Sequence, residues 1–452
     1  MRSKFSSKMA FVFAASASAI GLGNLWRFPA LAARYGGGAF IIIYLILVVT
    51  FGFTLMMAEV ALGRTTGLSA IGAFKYYGKK YRIIGILESI VPMIILPYYC
   101  VIGGWIMKYI GVFAVGDFSS AESTYFSNFL ASSPMPEILT LAFILLTMVV
   151  VALGVKNGIE RLNKVLMPAL LVLCLGVGFY ALTMPGALDG LAYYFIPHLE
   201  DFSLKTVIAA MGQMFFSLSL AMGIMITYGS YMRKEDNLEA SVGRIEMFDT
   251  LVALLAGFMI IPAVFSFGGE EAARQAGASL LFVTMPQVFD SLPLAQIVGV
   301  AFFLLVFFAA ITSSISIAEA VVAQFSDAFK WTRKRSIIVT TIGACVLGML
   351  PTLGYSALSW VQIPIGAASM TILDFMDFMS NNIIMPLVAL LMCLFIGWWQ
   401  GPVIIRDEVE STEGVKFKRY GLFKVMIRWV APVLLAIILV SSALNAAGVI
   451  TL

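Results

Sequence analysis

In this strongly apolar chain, the residues able to hold an ion or a charged solute gather in three places. The stretch AASASAIGLGNLWRFP (Ala14 to Pro29) brings Gly21, Gly23 and Asn24 together in the middle of an apolar segment of spanning length. A second stretch, GQMFFSLSLAMGIMITYGSYMRK, dilutes its apolar stripe around Ser217, Ser219, Ala221 and Gly223. The third, FFAAITSSISIAEA, carries Thr312, Ser313 and Ser314 in succession. Backbone polar groups cannot stay unpaired in hydrocarbon, so a break at such depth must be buried in protein or line a cavity. The carbonyls and amides it frees are then available to an ion or a charged substrate. The three hydroxyls are spread about 100° apart, so at most two face one way. Bonding across helices or back to their own carbonyls is their ordinary alternative use.

Charges inside apolar segments are the other chemically informative class, each costing roughly 2.5–3.5 kcal/mol on insertion scales at the bilayer centre. Glu59, Asp249, Asp374 and Asp377 belong to it, with Arg27 just past the first break. Glu59 lies deep enough to need partners, which unwound amides would supply. Arg27 and Asp377 are candidates for an outer ion pair, against the alternative of snorkelling to water. His198, the sole histidine, falls in a loop and is given no role.

The elements that must position these residues are membrane helices. Of 452 residues 61% are hydrophobic and 12% charged, with mean hydropathy +0.97, and the apolar runs suit helices rather than barrel strands. No cleavable leader is expected before the first span. Cys100, Cys174, Cys345 and Cys393 all lie in apolar segments and imply no disulfide framework. The net charge of +4 follows from loop composition and is no sign of nucleic-acid binding. No nucleophile, base and metal set suggests an enzyme.

Eleven spans are expected, at about 8–34, 38–63, 83–113, 136–153, 163–184, 204–231, 241–268, 293–329, 336–353, 372–399 and 426–448. A cytoplasmic N-terminus puts all but Arg27, Arg34, Lys108, Lys205 and Arg274 of the 29 basic residues on the inner side. The C-terminus then lies outside the cell membrane. Three outer connections are long: 115–135, 185–203 and 269–292. The first and sixth spans lead two five-helix halves, residues 1–203 and 204–401, with 402–452 adding an inner loop and the eleventh helix. Five being odd, the halves are inverted, and broken helices in matching positions of inverted halves point to a central transport site. The expected class is an all-α polytopic membrane protein, a 5+5 inverted-repeat transporter with broken first and sixth helices.

The runs GLGNLWRFP (Gly21 to Pro29), GGGAF (Gly36 to Phe40), GQMFFSLSL (Gly212 to Leu220), TYGSYMRK (Thr227 to Lys234) and FFAAITSSISI (Phe307 to Ile317) closely resemble the neurotransmitter:sodium symporter family, in the right order and spacing. The chain looks like a bacterial amino-acid transporter of that family, of the eleven-helix type. The resemblance implies two sodium ions. The first would be held by Ala19, Asn24, Ser217, the substrate carboxylate and a seventh-span residue. The register leaves Phe248 or Asp249 at that last position, and Asp249 is favoured because an oxygen is needed. The second sodium would be held by the carbonyls of Ala17, Ile20 and Ala309 and the hydroxyls of Thr312 and Ser313. These are hard oxygen donors, as a hard cation requires.

Family members that need chloride bind it at positions matching Tyr44, Gln213 and Ser217. Asp249 would instead supply a fixed negative charge, so chloride independence is expected. Glycine at position 21, where amine carriers have aspartate, implies a substrate with its own carboxylate. That carboxylate would meet the amides of Leu22 and Gly23, the Tyr99 hydroxyl and the first sodium, and the amine would meet carbonyls of Ala19, Phe216 and Ser219. The side-chain pocket would comprise Ser18, Ile95, Tyr99, Phe216, Met222, Ser313 and Ile317, which suits a neutral, hydrophobic L-amino acid. Ala221, often glycine in the family, bears on pocket size, and Met222 can repack around different shapes. The implied gates are Arg27 with Asp377 outside, lidded by Tyr99 and Phe216, and Arg2 with Asp327 inside, supported by Phe5, Ser230 and Tyr231. Gly158 and Pro168 match a helix-breaking pattern in the fifth span. The expected function is sodium-coupled amino-acid symport by alternating access in the lipid bilayer. The competing readings are a proton-coupled or sodium-independent exchanger, and a sensor or channel that does not cycle.

Overall fold

The computed structural model describes residues 4–275, 280–366 and 368–449. Among them, nine continuous helical stretches are long and apolar enough to cross a membrane: Gly38–Thr66, Lys79–Val115, Met135–Ala152, Val155–Ala181, Leu238–Arg274, Ala295–Phe329, Arg333–Leu353, Ile372–Trp399 and Tyr420–Ala446. The first span is a bent pair, Lys8–Ala19 and Gly23–Arg34, turned by 54° at its break. The sixth is also two helices, Leu204–Ser217 and Ile224–Tyr231, with residues 218–223 unwound between them. Eleven spans in a five-plus-five arrangement with an appended eleventh result, the two broken ones buried at its centre.

Burial follows position in the bundle. The first span is buried from Ala10 through Ala19 apart from Phe13, and every residue of Ile224–Tyr231 is buried. Peripheral spans present Leu, Ile and Val outward, as Leu145, Val149, Val172, Ile342 and Val433 do, which is the pattern a hydrocarbon solvent permits.

The structure departs from the sequence expectations at several boundaries. The fifth span starts at Val155, so Gly158 sits in a π-helical turn, Val155–Glu160, and Pro168 lies within the following helix Arg161–Ala181. The segment is wound here, with Pro168 held inside a continuous α-helix. The seventh span runs on to Gln275 across a kink at Gly268 and Gly269. The expected outer connections contain helices: Tyr125–Ala131, Ala187–Phe195 and Met285–Asp290. A two-stranded hairpin, Ile363–Ile365 with Ala368–Met370, precedes the tenth span. Asp374 is no mid-span charge; it closes a capping box with Thr371 at a helix start.

Candidate ion and substrate site

The first span ends its opening helix because Ile20 leaves helical geometry at ψ 96°. Asn24 ties the loosened turn: its Oδ1 accepts from the Gly21 amide at 3.1 Å, and its own amide donates to the Gly21 carbonyl at 3.2 Å. The Leu22 amide donates to the Tyr99 hydroxyl at 3.3 Å, and Gln213 Nε2 donates to the Gly23 carbonyl at 2.9 Å. Glycine is needed at both positions. A Cβ at residue 21 would stand 2.7 Å from Ser313 Oγ and 3.0 Å from the Tyr99 hydroxyl, and one at residue 23 would stand 2.5 Å from the Phe216 ring.

The sixth-span break bends through left-handed residues, Ser219 at φ 52°, Ala221 at φ 56° and Gly223 at φ 67°. For serine and alanine this costs of order 1–2 kcal/mol each, so surrounding bonds must hold them. Glu59 Oε1 accepts from the Ala221 amide at 2.6 Å, and Ser219 Oγ donates to the Ser18 carbonyl at 3.1 Å.

Between the breaks lies Asp249, fully buried. Its Oδ1 accepts from Asn24 Nδ2 and from Ser217 Oγ, both at 2.8 Å, and Tyr44 donates to Oδ2 at 3.2 Å. Phe248 points elsewhere, packing edge-on against Phe13 with centroids 5.9 Å apart. The expected first-ion residues Asn24, Ser217 and Asp249 thus meet around one carboxylate, with Tyr44 beside them. Gln213 joins from its own side through Gly23, its Oε1 buried and unpartnered among the described residues.

On the other flank of the first break, Ser313 Oγ lies 3.1 Å from the Ser18 carbonyl and 3.2 Å from that of Ile20. Thr312 turns its hydroxyl back to the carbonyls of Phe308 at 2.9 Å and Ala309 at 3.1 Å. Ser313 thus meets Ile20 across the helices, Thr312 and Ala309 are joined within the eighth span, and Ala17 lies one turn before Ile20 on the first span.

A small cavity of about 20 Å³ adjoins the first break, lined by Ser18, Ala19, Gly21, Leu22, Gly23, Ile95, Tyr99, Phe216, Ser219, Met222, Ser313 and Ile317. That is every expected substrate residue except Ser217, which faces Asp249. Such a volume is roughly one water's room, so an amino-acid side chain enters only if Phe216 or Met222 moves. Above it opens a vestibule of about 440 Å³, with Arg27, Tyr98, Phe216, Asp374 and Asp377 in its walls.

Arg27 and Asp377 do not pair here, contrary to the sequence expectation. The Asp377 carboxylate accepts from Tyr98 at 3.0 Å and from Asn381 at 2.6 Å. The Arg27 guanidinium lies 5.6 Å from the centre of the Phe216 ring. Tyr98 and Asn381 serve the carboxylate, and the Phe216 ring face serves the cation.

At the opposite end a cavity of about 510 Å³ is lined by Val155, Tyr231, Asp327 and Arg333. Phe5 is buried among Phe11, Tyr228 and Tyr231, and its amide donates to the Tyr231 carbonyl at 3.1 Å. Asp327 accepts from the Ser69 amide and hydroxyl at 2.7 and 2.6 Å. Ser230 donates to the Thr227 carbonyl at 2.5 Å. Arg2, the expected partner of Asp327, lies outside the described residues.

Sequence reasoning missed four buried polar residues. Glu319 is fully buried and takes bonds from Arg333 at 2.6 and 2.8 Å and from Tyr231 at 2.7 Å. Arg64 is clamped by Glu408, with Nε–Oε1 at 2.6 Å. Glu88 accepts from the Gly223 amide at 3.0 Å, and Gln324 is buried nearby. A lone carboxylate in an apolar run was the available signal for Glu88 and Glu319.

A model of the sodium:neurotransmitter symporter family matches residues 2–126 and 114–449. The chain belongs to this family. It is 34% identical over 99% of its length to an uncharacterised sodium-dependent transporter of Bacillus subtilis, covering 98% of that protein. A counterpart in Methanocaldococcus jannaschii is 31% identical, over 98% of this chain and 91% of its own. The human sodium- and chloride-dependent GABA transporter 2 is 23% identical over 92% of this chain and 76% of its own. Among solved structures, MhsT in complex with L-phenylalanine superposes with TM-score 0.87 at 36% identity, covering 98% of this chain and all of MhsT. The symporter described here is thus a sodium-dependent membrane transporter, not an enzyme, of the five-plus-five fold.

Proposed function

We propose that this symporter carries a neutral, hydrophobic L-amino acid together with sodium, by alternating access. The observation that supports this most is the lining of the central cavity: backbone from the first break and apolar or hydroxyl side chains, with no Asp, Glu, Lys or Arg. A zwitterion brings both charges to such a place. Its carboxylate suits the amides of Leu22 and Gly23 beside Tyr99, and its amine suits the carbonyls of Ala19, Phe216 and Ser219. A cationic side chain would find no counter-charge, and a desolvated unpaired charge is costly. The relative crystallised with L-phenylalanine supports the same substrate class.

Two sodium ions complete the proposal. One sits with Ala19, Asn24, Ser217 and Asp249, and one with Ala17, Ile20, Ala309, Thr312 and Ser313. Both sets straddle the first break, so ion binding fixes the conformation that receives the substrate. Asp249 stands where an anion would otherwise neutralise the first sodium, next to Tyr44 and Ser217, so transport proceeds without chloride. A cavity of about 510 Å³ opens beside Tyr231 and Asp327, and the vestibule of about 440 Å³ opens on the Arg27 side. With the basic loops in the cytoplasm, that side is extracellular, the N-terminus cytoplasmic and the C-terminus outside. Arg27 and Asp377 approach each other as Tyr99 and Phe216 close over substrate. Residues 1–203 and 204–401 act as the two inverted halves.

A scintillation proximity screen of the twenty amino acids, with sodium and with choline, tests the reading. Binding of large apolar amino acids that requires sodium is expected. Preference for a charged amino acid or an amine, or equal binding in choline, overturns it.

A further inference from the structure

The sixth-span break is held by a second pair of groups that neither sodium position uses. Glu59, on the second span, accepts from the Ala221 amide at 2.6 Å, and Glu88, on the third, accepts from the Gly223 amide at 3.0 Å. Both acceptors therefore meet left-handed residues of one unwound turn. Gln324, on the eighth span, closes the space. Its Nε2 would lie 2.8 Å from a Cβ on Gly223, where Glu88 Cγ would lie at 3.7 Å.

All three side chains are fully buried. Each carboxylate uses one oxygen, and Glu59 Oε2, Glu88 Oε2 and both amide atoms of Gln324 have no hydrogen-bond partner among the described residues. No lysine, arginine or histidine among those residues bonds either glutamate. The sixth span offers amides, the eighth Gln324 and the short helix Ala70–Tyr76 the methyl of Ala70, so the charged groups bearing on each other are the two glutamates themselves.

We infer that Glu59 and Glu88, closed by Gln324, form a proton site that joins the sixth-span break to the second and third spans. Two like charges in an apolar interior cannot both ionise. One proton turns a bare acceptor into a donor, and the unpartnered amide oxygen and nitrogen of Gln324 offer an acceptor and a donor beside the pair. The pair titrates as a unit, and neither glutamate owns the proton. Loading it keeps two carboxylates on the amides at the cost of a single buried charge. Losing it sets the second and third spans against each other at the turn that carries Ser219 and Met222 of the substrate cavity.

The test is infrared spectroscopy of the full-length protein in lipid bilayers, read as wild type minus Glu59→Gln/Glu88→Gln. A protonated-carboxyl stretch at neutral pH, shifted in deuterium oxide and unmoved by sodium, is expected. In Glu59→Gln or Glu88→Gln alone the stretch titrates at lower pH, because the like charge is gone. Absence of the stretch, its loss on adding sodium, or a titration that neither single substitution alters overturns the inference, the second outcome assigning the site to a metal cation. The spectra require no transport, so they separate this inference from the amino-acid symport reading. Where substrate binds, one linked proton changes its affinity by up to about tenfold per pH unit, and Glu88→Gln flattens that dependence.

Discussion

Asp249→Asn is the most informative single perturbation. The carboxylate takes bonds from Asn24 at 2.8 Å, Ser217 at 2.8 Å and Tyr44 at 3.2 Å, and in the proposed site it also faces sodium. An asparagine keeps one acceptor oxygen and presents an NH2 where the second oxygen accepted, so at least one bond to a charged group is lost, worth about 1.5–3 kcal/mol. The lost attraction for a cation about 4 Å away adds about 4 kcal/mol at an effective dielectric of 20. Relief from burying the carboxylate offsets part of this sum. A net loss of about 3–4 kcal/mol weakens sodium binding roughly 100- to 1,000-fold, at 1.4 kcal/mol per decade. The assay is a sodium titration of radiolabelled substrate binding, repeated with chloride replaced by gluconate. Wild type is expected to be indifferent to chloride. Asp249→Asn should need far more sodium and recover part of its affinity when chloride supplies the missing negative charge beside Tyr44 and Gln213. A variant with wild-type sodium dependence, or a wild type stimulated by chloride, refutes the reasoning.

Gly21→Ala places a methyl 2.7 Å from Ser313 Oγ, so substrate affinity should fall at least tenfold in the same binding assay while the protein still folds. Phe5→Ala removes a ring buried against three aromatic neighbours. It should cost about 3–5 kcal/mol of packing and shift the population towards an open Phe5 end, seen as faster thiol labelling of a cysteine placed at Tyr231. Glu408→Ala removes the carboxylate bonded to the buried Arg64 guanidinium, leaving it bonded to backbone carbonyls and Thr412. The cost should be about 3–5 kcal/mol, read as a lower melting temperature in detergent, whereas removing the outer contact in Arg274→Ala should leave melting within error.

The spans and both breaks were legible because they depend on local signals. An apolar run sets a helix's length, and glycine or hydroxyl clusters mark where it opens. The ring of residues around the cavity was legible only through the family resemblance, whose matching runs hold Gly21, Leu22, Gly23, Phe216, Ser219, Ser313 and Ile317, while Ser18, Ala19, Ile95, Tyr99 and Met222 lie outside them. Pairings between distant positions were not. Arg64 with Glu408, Arg333 with Glu319 and Glu88 with Gly223 are tertiary contacts whose partners no periodicity names. The unpaired state of Arg27 and Asp377 also escaped the sequence, because it depends on tertiary contacts. Tyr98 and Asn381 hold the carboxylate.

The central claim is that a sodium gradient drives an amino acid through the site between the two broken spans. Uptake of radiolabelled L-phenylalanine into proteoliposomes, under an inward sodium gradient and an inside-negative potential, measures it directly. Each sodium entering across 100 mV contributes about 2.3 kcal/mol, so accumulation well above equilibrium is predicted, collapsing when choline replaces sodium. Equal accumulation in choline, or equilibration without accumulation, would contradict the account.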